Sequence, residues 1–123
     1  KALSYKPRRQ ESIYMAQKEK VITVMGTDAG TPLNQHGDNP NELIRLVEVG
    51  YSPIQALISA TGVAAKVLGI DDHLGTIEEG KTADLIIIKG DPLQDINLFK
   101  NNSSIGLIIK NGQIVFKSDE LGN

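Results

Sequence analysis

The apolar positions along the chain fall into three kinds of run. Around Glu11 to Lys18 they are sparse and spaced as in a helix, which predicts a weakly amphipathic helix with Ile13, Tyr14 and Ala16 turned inward. Val21-Ile22-Thr23-Val24-Met25 is nearly unbroken and β-branched, the pattern of a strand covered on both faces, as in parallel sheets. It stops at Gly26-Thr27-Asp28-Ala29-Gly30, a tight turn framed by glycines. A polar loop follows from Thr31 to Asp38.

Helical spacing then returns three times. Asn39-Pro40-Asn41-Glu42 predicts a start, with Asn39 as cap, Pro40 in the first helical position and Glu42 closing a capping box. Leu43, Ile44, Leu46 and Val47 form the apolar face, and Gly50 ends the helix. Ser52-Pro53-Ile54-Gln55 repeats the start signal and opens a helix to about Ala60. A third runs from Gly62 or Val63 to Leu68, with Gly69 as its stop.

After Ile70 the pattern changes to strands and turns. Asp71 to Lys81 is turn-rich, and Ala83 to Ile88 predicts a strand. Asp91-Pro92 marks a turn and Asn101 to Ser104 a loop. Ile105 to Lys110 and Gln113 to Phe116 predict two strands joined by Asn111-Gly112, a hairpin dipeptide because both turn residues need positive φ. The tail from Ser118 is expected to fray. The chain therefore divides near Asp71, with residues 1–70 built from a strand and helices and residues 71–123 forming a small antiparallel β unit. There is no internal repeat.

Composition narrows the function classes. The chain has 123 residues, a net charge of -2, no cysteine and no tryptophan. The near-neutral charge and few aromatics argue against nucleic-acid binding, since neither a basic stripe nor a stacking platform is present. The one basic cluster, Lys6, Arg8 and Arg9, reads as a solvated lead-in to a helix. No apolar run approaches the roughly 20 residues of a membrane span. Without cysteine there is no disulfide frame and no thiolate zinc site, which fits a reducing, cytoplasmic setting. The opening Lys1-Ala2-Leu3-Ser4-Tyr5 has neither an initiator Met nor a signal-peptide pattern, so upstream residues are expected to be missing.

Asp28 is the first candidate for chemistry. It follows a strand end, where ligands and catalytic groups collect in α/β proteins, and its glycine neighbours leave the carboxylate accessible. Such a carboxylate binds a metal or takes a proton from water; the alternative is a turn aspartate capping its own backbone. Gly26-x-Asp28-x-Gly30 also has the spacing of a nucleophile elbow, but no helix follows directly. His36, in the same loop, is a candidate metal ligand or substrate-binding residue, or a plain surface histidine. Asp28, His36 and Asp38 are too few and too loosely spaced to define a metal site. Asp71-Asp72-His73 reads as solvated. Asp84 is expected to orient the start of its strand through hydrogen bonds, and Lys66 and Lys110 to keep their charges in water.

Several segments, taken in order, resemble the amidohydrolase superfamily. They are Gly26-Thr27-Asp28-Ala29-Gly30, His36-Gly37, Glu42-Leu43, Gly50-Tyr51-Ser52-Pro53 with Ala56-Leu57, Ala60-Thr61, Ala64-Ala65 and Leu68-Gly69. Leu74-Gly75-Thr76-Ile77, Gly80-Lys81-x-Ala83-Asp84-Leu85, Gly90-Asp91-Pro92-Leu93 and Asn111-Gly112 continue the series, so the matches run from about Val21 to Val115. Each motif is weak alone, and the ordered set is specific. The flavour is that of the imidazolonepropionase and Xaa-Pro dipeptidase (prolidase-like) branch. The resemblance implies an α/β fold: the C-terminal portion of a (β/α)8 TIM-like barrel in residues 1–70, and C-terminal strands of a composite β-sandwich in residues 71–123. It implies a hydrolase that uses metal-activated water on a C–N amide bond, in a dipeptide such as Xaa-Pro or in a cyclic amide. Asp28 would be the strand-eight aspartate, a ligand of a divalent metal, usually zinc, and the group that passes a proton to the leaving nitrogen. His36 would face the substrate.

The family's other ligands are a His-x-His pair, a carboxylated Lys or a Glu, and two more histidines. None of these is present, because His36 and His73 are the only histidines. The chain alone is therefore expected to be inactive, to need the N-terminal part of the barrel, and to be compatible with a homo-oligomer. Two other readings stand beside this one: a standalone non-catalytic interaction domain, and a deaminase or dihydroorotase-type member of the same superfamily.

Overall fold

The computed structural model describes residues 6–32 and 35–121. Lys1 to Tyr5, Asn34 and the last two residues, which figured in the sequence reading, lie outside that set. Four helices come first: α1 (Lys6–Lys18), α2 (Pro40–Glu48), α3 (Pro53–Ala60) and α4 (Gly62–Leu68). Three strands follow: β1 (Leu85–Ile88), β2 (Ile105–Lys110) and β3 (Gln113–Lys117). They form one antiparallel sheet in the order β1-β2-β3.

Helix α1 starts earlier than its apolar spacing suggests. Its period is so weak that Tyr14 lies on the open side, 66% exposed, while Ile13 and Ala16 are half-buried. The helix ends when Lys20 turns left-handed (φ 55°). Val21 N–H then donates to Ala16 O at 2.8 Å and Lys20 N–H to Gln17 O at 3.0 Å, which satisfies the last carbonyls.

Val21 to Met25 is not a strand in this structure. The segment joins no sheet, and Ile22 is 79% exposed. A strand of this composition needs neighbours on both sides and layers on both faces. Among the described residues none is available, because the three strands present pair with one another. Two bonds hold the segment to the helices instead. Met25 N–H donates to Ser59 O at 3.2 Å, and Thr23 Oγ1 and Tyr51 Oη share a 2.7 Å hydrogen bond.

The two proline-led helices begin differently. At α3 the capping box is complete: Ser52 Oγ accepts from Gln55 N–H at 3.3 Å, and Gln55 Oε1 accepts from Ser52 N–H at 2.9 Å. At α2 the expected cap is absent. Asn39 is itself helical (φ -52°, ψ -35°) and makes no side-chain cap bond. Asp38 and Asn39 carbonyls accept from the Asn41 and Glu42 amides, and the Glu42 carboxylate pairs with Arg45 at 3.5 Å.

The core gathers on α2. Leu43, Leu46 and Ala56 are buried together with Ile96, and Met25, Tyr51, Leu57 and Phe99 pack around them. Ile96 and Phe99 come from a 3-10 turn, Ile96–Lys100, for which the sequence pattern gives no signal. Asp95 caps it, its Oδ1 accepting from Asn97 N–H at 3.0 Å.

The hairpin forms as its dipeptide requires, with Asn111 at φ 53° and Gly112 at φ 75°. Strand β3 runs one residue past Phe116. In the tail, Ser118 N–H donates to Gly106 O at 2.8 Å, and Glu120 in the turn Asp119–Leu121 pairs with Lys89 at 2.7 Å; the fraying expected from Ser118 concerns in part Gly122 and Asn123, which lie outside the described residues. Strand β1 is shorter than expected, starting at Leu85. Asp84, just before it, accepts from Asn111 N–H at 2.6 Å and from Lys110 Nζ. The bond from Lys110 holds the Asp84 carboxyl below its usual range, and the Asn111 amide adds to the effect. Lys110 is therefore ion-paired as well as exposed, whereas Lys66 stands in solvent as expected.

Candidate active-site loop

The site candidates lie in the bend between the Val21–Met25 segment and α2. The two bonds at Thr23 and Met25 fix where the chain enters the bend, and the buried face of α2 fixes where it leaves. Asp28 sits at the apex, exposed, in the left-handed region at φ 50°. Few residues adopt that conformation without strain. Asp is among those enriched there, so one side chain supplies both the turn and the carboxylate.

Gly30 follows at φ +102°. A Cβ placed on Gly30 would lie 3.2 Å from His36 Nε2 and 4.0 Å from His36 Cε1. The imidazole edge thus rests against the backbone two residues beyond Asp28. Sequence reasoning named Asp28 and His36 separately and did not see this contact. Its only sequence signal is a glycine at a turn position six residues before a histidine, a spacing without helix or strand period.

Asp38 is exposed in the same loop, near the start of α2. Asp71, Asp72 and His73 are all exposed in the turn after α4, remote in sequence from the bend. Asp84 belongs to the hairpin clasp described above. Among the described residues, no three His, Cys, Asp or Glu side chains gather so as to hold a metal ion. The donor chemistry of the bend therefore fits a share of a divalent site and no more. Asp28 offers one hard oxygen donor on an exposed apex, while a catalytic zinc takes about three protein ligands.

The chain belongs to the amidohydrolase family, whose model matches residues 1–115. It is 36% identical over 90 residues to an imidazolonepropionase from Thermoplasma volcanium, covering 70% of this chain and 22% of that protein. It is 35% identical over 102 residues to a guanine deaminase from Escherichia coli (strain K12), covering 77% of this chain and 22% of that enzyme. Among solved structures, it superposes on a Xaa-Pro dipeptidase with methionine bound in its active site, with a TM-score of 0.79 and 38% identity. That match covers 91% of this chain and 26% of the dipeptidase chain. The chain thus spans about a quarter of the length of these relatives. No helix among the described residues is long and apolar enough to cross a membrane.

Proposed function

We propose that these residues are the closing segment of a metal-dependent amidohydrolase that hydrolyses the C–N amide bond of a small substrate carrying a free carboxylate, such as a Xaa-Pro dipeptide. A cyclic amide bearing a carboxylate is the neighbouring choice. In this reading residues 1–70 complete a (β/α)8 barrel, and residues 71–123 supply strands to a composite β-sandwich. The observation that carries it is the likeness to the Xaa-Pro dipeptidase, at 38% identity over nine-tenths of the chain.

Asp28 is the residue with the central role. It would give one carboxylate oxygen to a divalent metal, for which zinc is the first choice, alongside ligands from outside this chain. The metal, when bound, lowers the pKa of water from about 15.7 toward about 7. Asp28 would take water's proton as the water oxygen bonds the amide carbon, and would pass that proton to the nitrogen as the C–N bond breaks. The Met25 N–H bond to Ser59 O and the Thr23–Tyr51 hydroxyl bond support this reading by tying the chain that leads to Asp28 to the helices.

The test is Asp28→Asn in the full-length enzyme, assayed on a Xaa-Pro dipeptide. Loss of the proton carrier lowers kcat by about 10²–10⁴ or more while the circular dichroism spectrum stays unchanged. A variant within a few-fold of the wild-type rate would remove Asp28 from the mechanism. The match to a guanine deaminase supports a second reading, in which the leaving group is ammonia from an aminated ring. Ammonia release from guanine, with no cleavage of dipeptides, would select that reading.

A further inference from the structure

We propose that Asn111 is a modification site, where the chain loses a side-chain amide to water, and that Ala83 and Asp84 form the guard that holds the reaction back in the folded protein. The proposal stands on the hairpin and is independent of the hydrolase reading.

The reaction needs only the chain and water. The Gly112 backbone nitrogen gives its proton to a base from solvent and bonds Cγ of Asn111. The Cγ–Nδ2 bond breaks, and that nitrogen takes up a proton and leaves as ammonia. A cyclic imide remains. Water opens it at either carbonyl, leaving aspartate or its isomer linked through the side chain. One water enters and one ammonia leaves, with nothing oxidised or reduced.

Three observations carry the proposal. First, Asn111 is the only asparagine of the chain followed by glycine, and both residues are exposed. Nothing lies within 4 Å of where a Gly112 Cβ would stand, so no side chain or packed neighbour crowds the turn.

Second, the attacking nitrogen is occupied. Gly112 N–H donates to Ala83 O at 2.9 Å, and Asn111 N–H donates to Asp84 Oδ1 at 2.6 Å. The proton that must leave is the one bonded to Ala83, and bringing the nitrogen to Cγ draws it off that carbonyl. Lys110 Nζ bonds the other Asp84 oxygen. An Asn-Gly turn asks only for its own two residues and the strands it joins. Here the lead-in to β1, a third strand, reaches across and holds both turn amides.

Third, the product opposes the clasp. A carboxylate made at position 111 would stand beside Asp84, whose oxygens are already committed to Lys110 and the turn amide. The side-chain-linked isomer lengthens the main chain of a two-residue turn and disturbs its register. Once made, either product loosens the bonds that restrained its formation.

A closed turn reacts through the fraction of molecules in which the clasp has opened. Hydrogen bonds to an ionised carboxylate hold that opening back by about ten- to a hundredfold.

The experiment incubates full-length protein in neutral buffer and follows conversion of the Asn111 amide by peptide mapping with mass spectrometry. Urea-unfolded wild type converts at least about tenfold faster than folded wild type. Asp84→Ala, shown to be folded by circular dichroism, converts about ten- to a hundredfold faster than folded wild type. Lys110→Ala, which leaves Asp84 bonded to the Asn111 amide, gives a smaller rise. Hydrogen exchange at the Gly112 amide of wild type needs no variant: its protection matches the slowing of conversion relative to the unfolded chain.

An unfolded chain that does not convert at Asn111 overturns the site. A folded wild type that converts as fast as the unfolded chain overturns the guard, and so does a folded Asp84→Ala that converts no faster than wild type. If Asp84→Ala does not fold, the Gly112 amide decides: protection supports the guard, and exchange at the unfolded rate overturns it. Each readout is made without turnover, so failure of the hydrolase reading leaves this proposal standing.

Discussion

A self-contained domain of 13.3 kDa exposes about 6,500 Å² of surface, from the scaling of accessible area with mass. This chain exposes 9363 Å², an excess of about 2,900 Å². That exceeds the roughly 800 Å² each partner contributes to an ordinary protein interface. The excess is apolar in the places that matter: Ile22 and Val21 beside the bend, Val67 and Leu68 on α4, Ile86 on β1, and Ile114, Val115 and Phe116 on β3. Exposed apolar side chains spread over several elements dispose an isolated chain to associate. The perturbation is to produce residues 1–123 alone. The expected outcome is a chain that self-associates in the micromolar range by analytical ultracentrifugation and binds a hydrophobic dye. It unfolds over a broad, non-cooperative urea range. The full-length protein, in which the same residues have their neighbours, gives little dye signal. A monodisperse 13.3 kDa monomer with a sharp transition and no dye binding would refute the reasoning, and would favour the standalone interaction domain over the hydrolase segment.

Two further outcomes test how the elements are held. In the full-length protein, Ser52→Ala removes a complete capping box and costs about 1 kcal/mol, whereas Asn39→Ala, at a position with no side-chain cap bond, costs close to nothing; urea midpoints compare them. Asp84 has its folded pKa depressed, first by Lys110 and then by the Asn111 amide, so its contribution is present above the unfolded value of about 3.9 and is lost as pH falls through the lower folded value. Asp84→Asn is therefore less stable than wild type at pH 7, and the gap closes as the pH is lowered below about 4; equal gaps at pH 7 and pH 3 in urea titrations would show that the carboxylate charge is not what holds the hairpin.

The elements legible in the sequence are those whose causes are local. The box at Ser52 and Gln55 needs only four residues, and the hairpin at Asn111-Gly112 only two, so both appear where their residues stand. Val21 to Met25 failed for the opposite reason. Its β-branched run states which surroundings the segment suits, but its ladder partners must come from elsewhere, and none of the described strands is available. Asn39 failed as a cap because the chain was already helical one residue earlier, which left Asp38 and Asn39 carbonyls to take the amides. The turn at Ile96–Lys100 was missed because its apolar residues, Ile96 and Phe99, show no periodic context; their burial against α2 is a tertiary fact. Of the candidate site, Asp28 was visible through its glycine frame. The seat of His36 on Gly30 was not, because it depends on how the loop closes in space.

The approach to Asp28 is fixed without a sheet. In a parallel sheet, a strand is held by ladder hydrogen bonds to its neighbours. Here the chain approaching Asp28 is held by other means, Met25 N–H to Ser59 O and Thr23 Oγ1 to Tyr51 Oη, both reaching into the α2–α3 region. Tyr51 and Met25 in turn pack against Leu43, Leu46, Ala56 and Ile96, so the tethers end on the buried core. The chain entering the bend therefore takes its position from packed helices. The approach to Asp28 is thus anchored on the same buried cluster that packs α2 against α3.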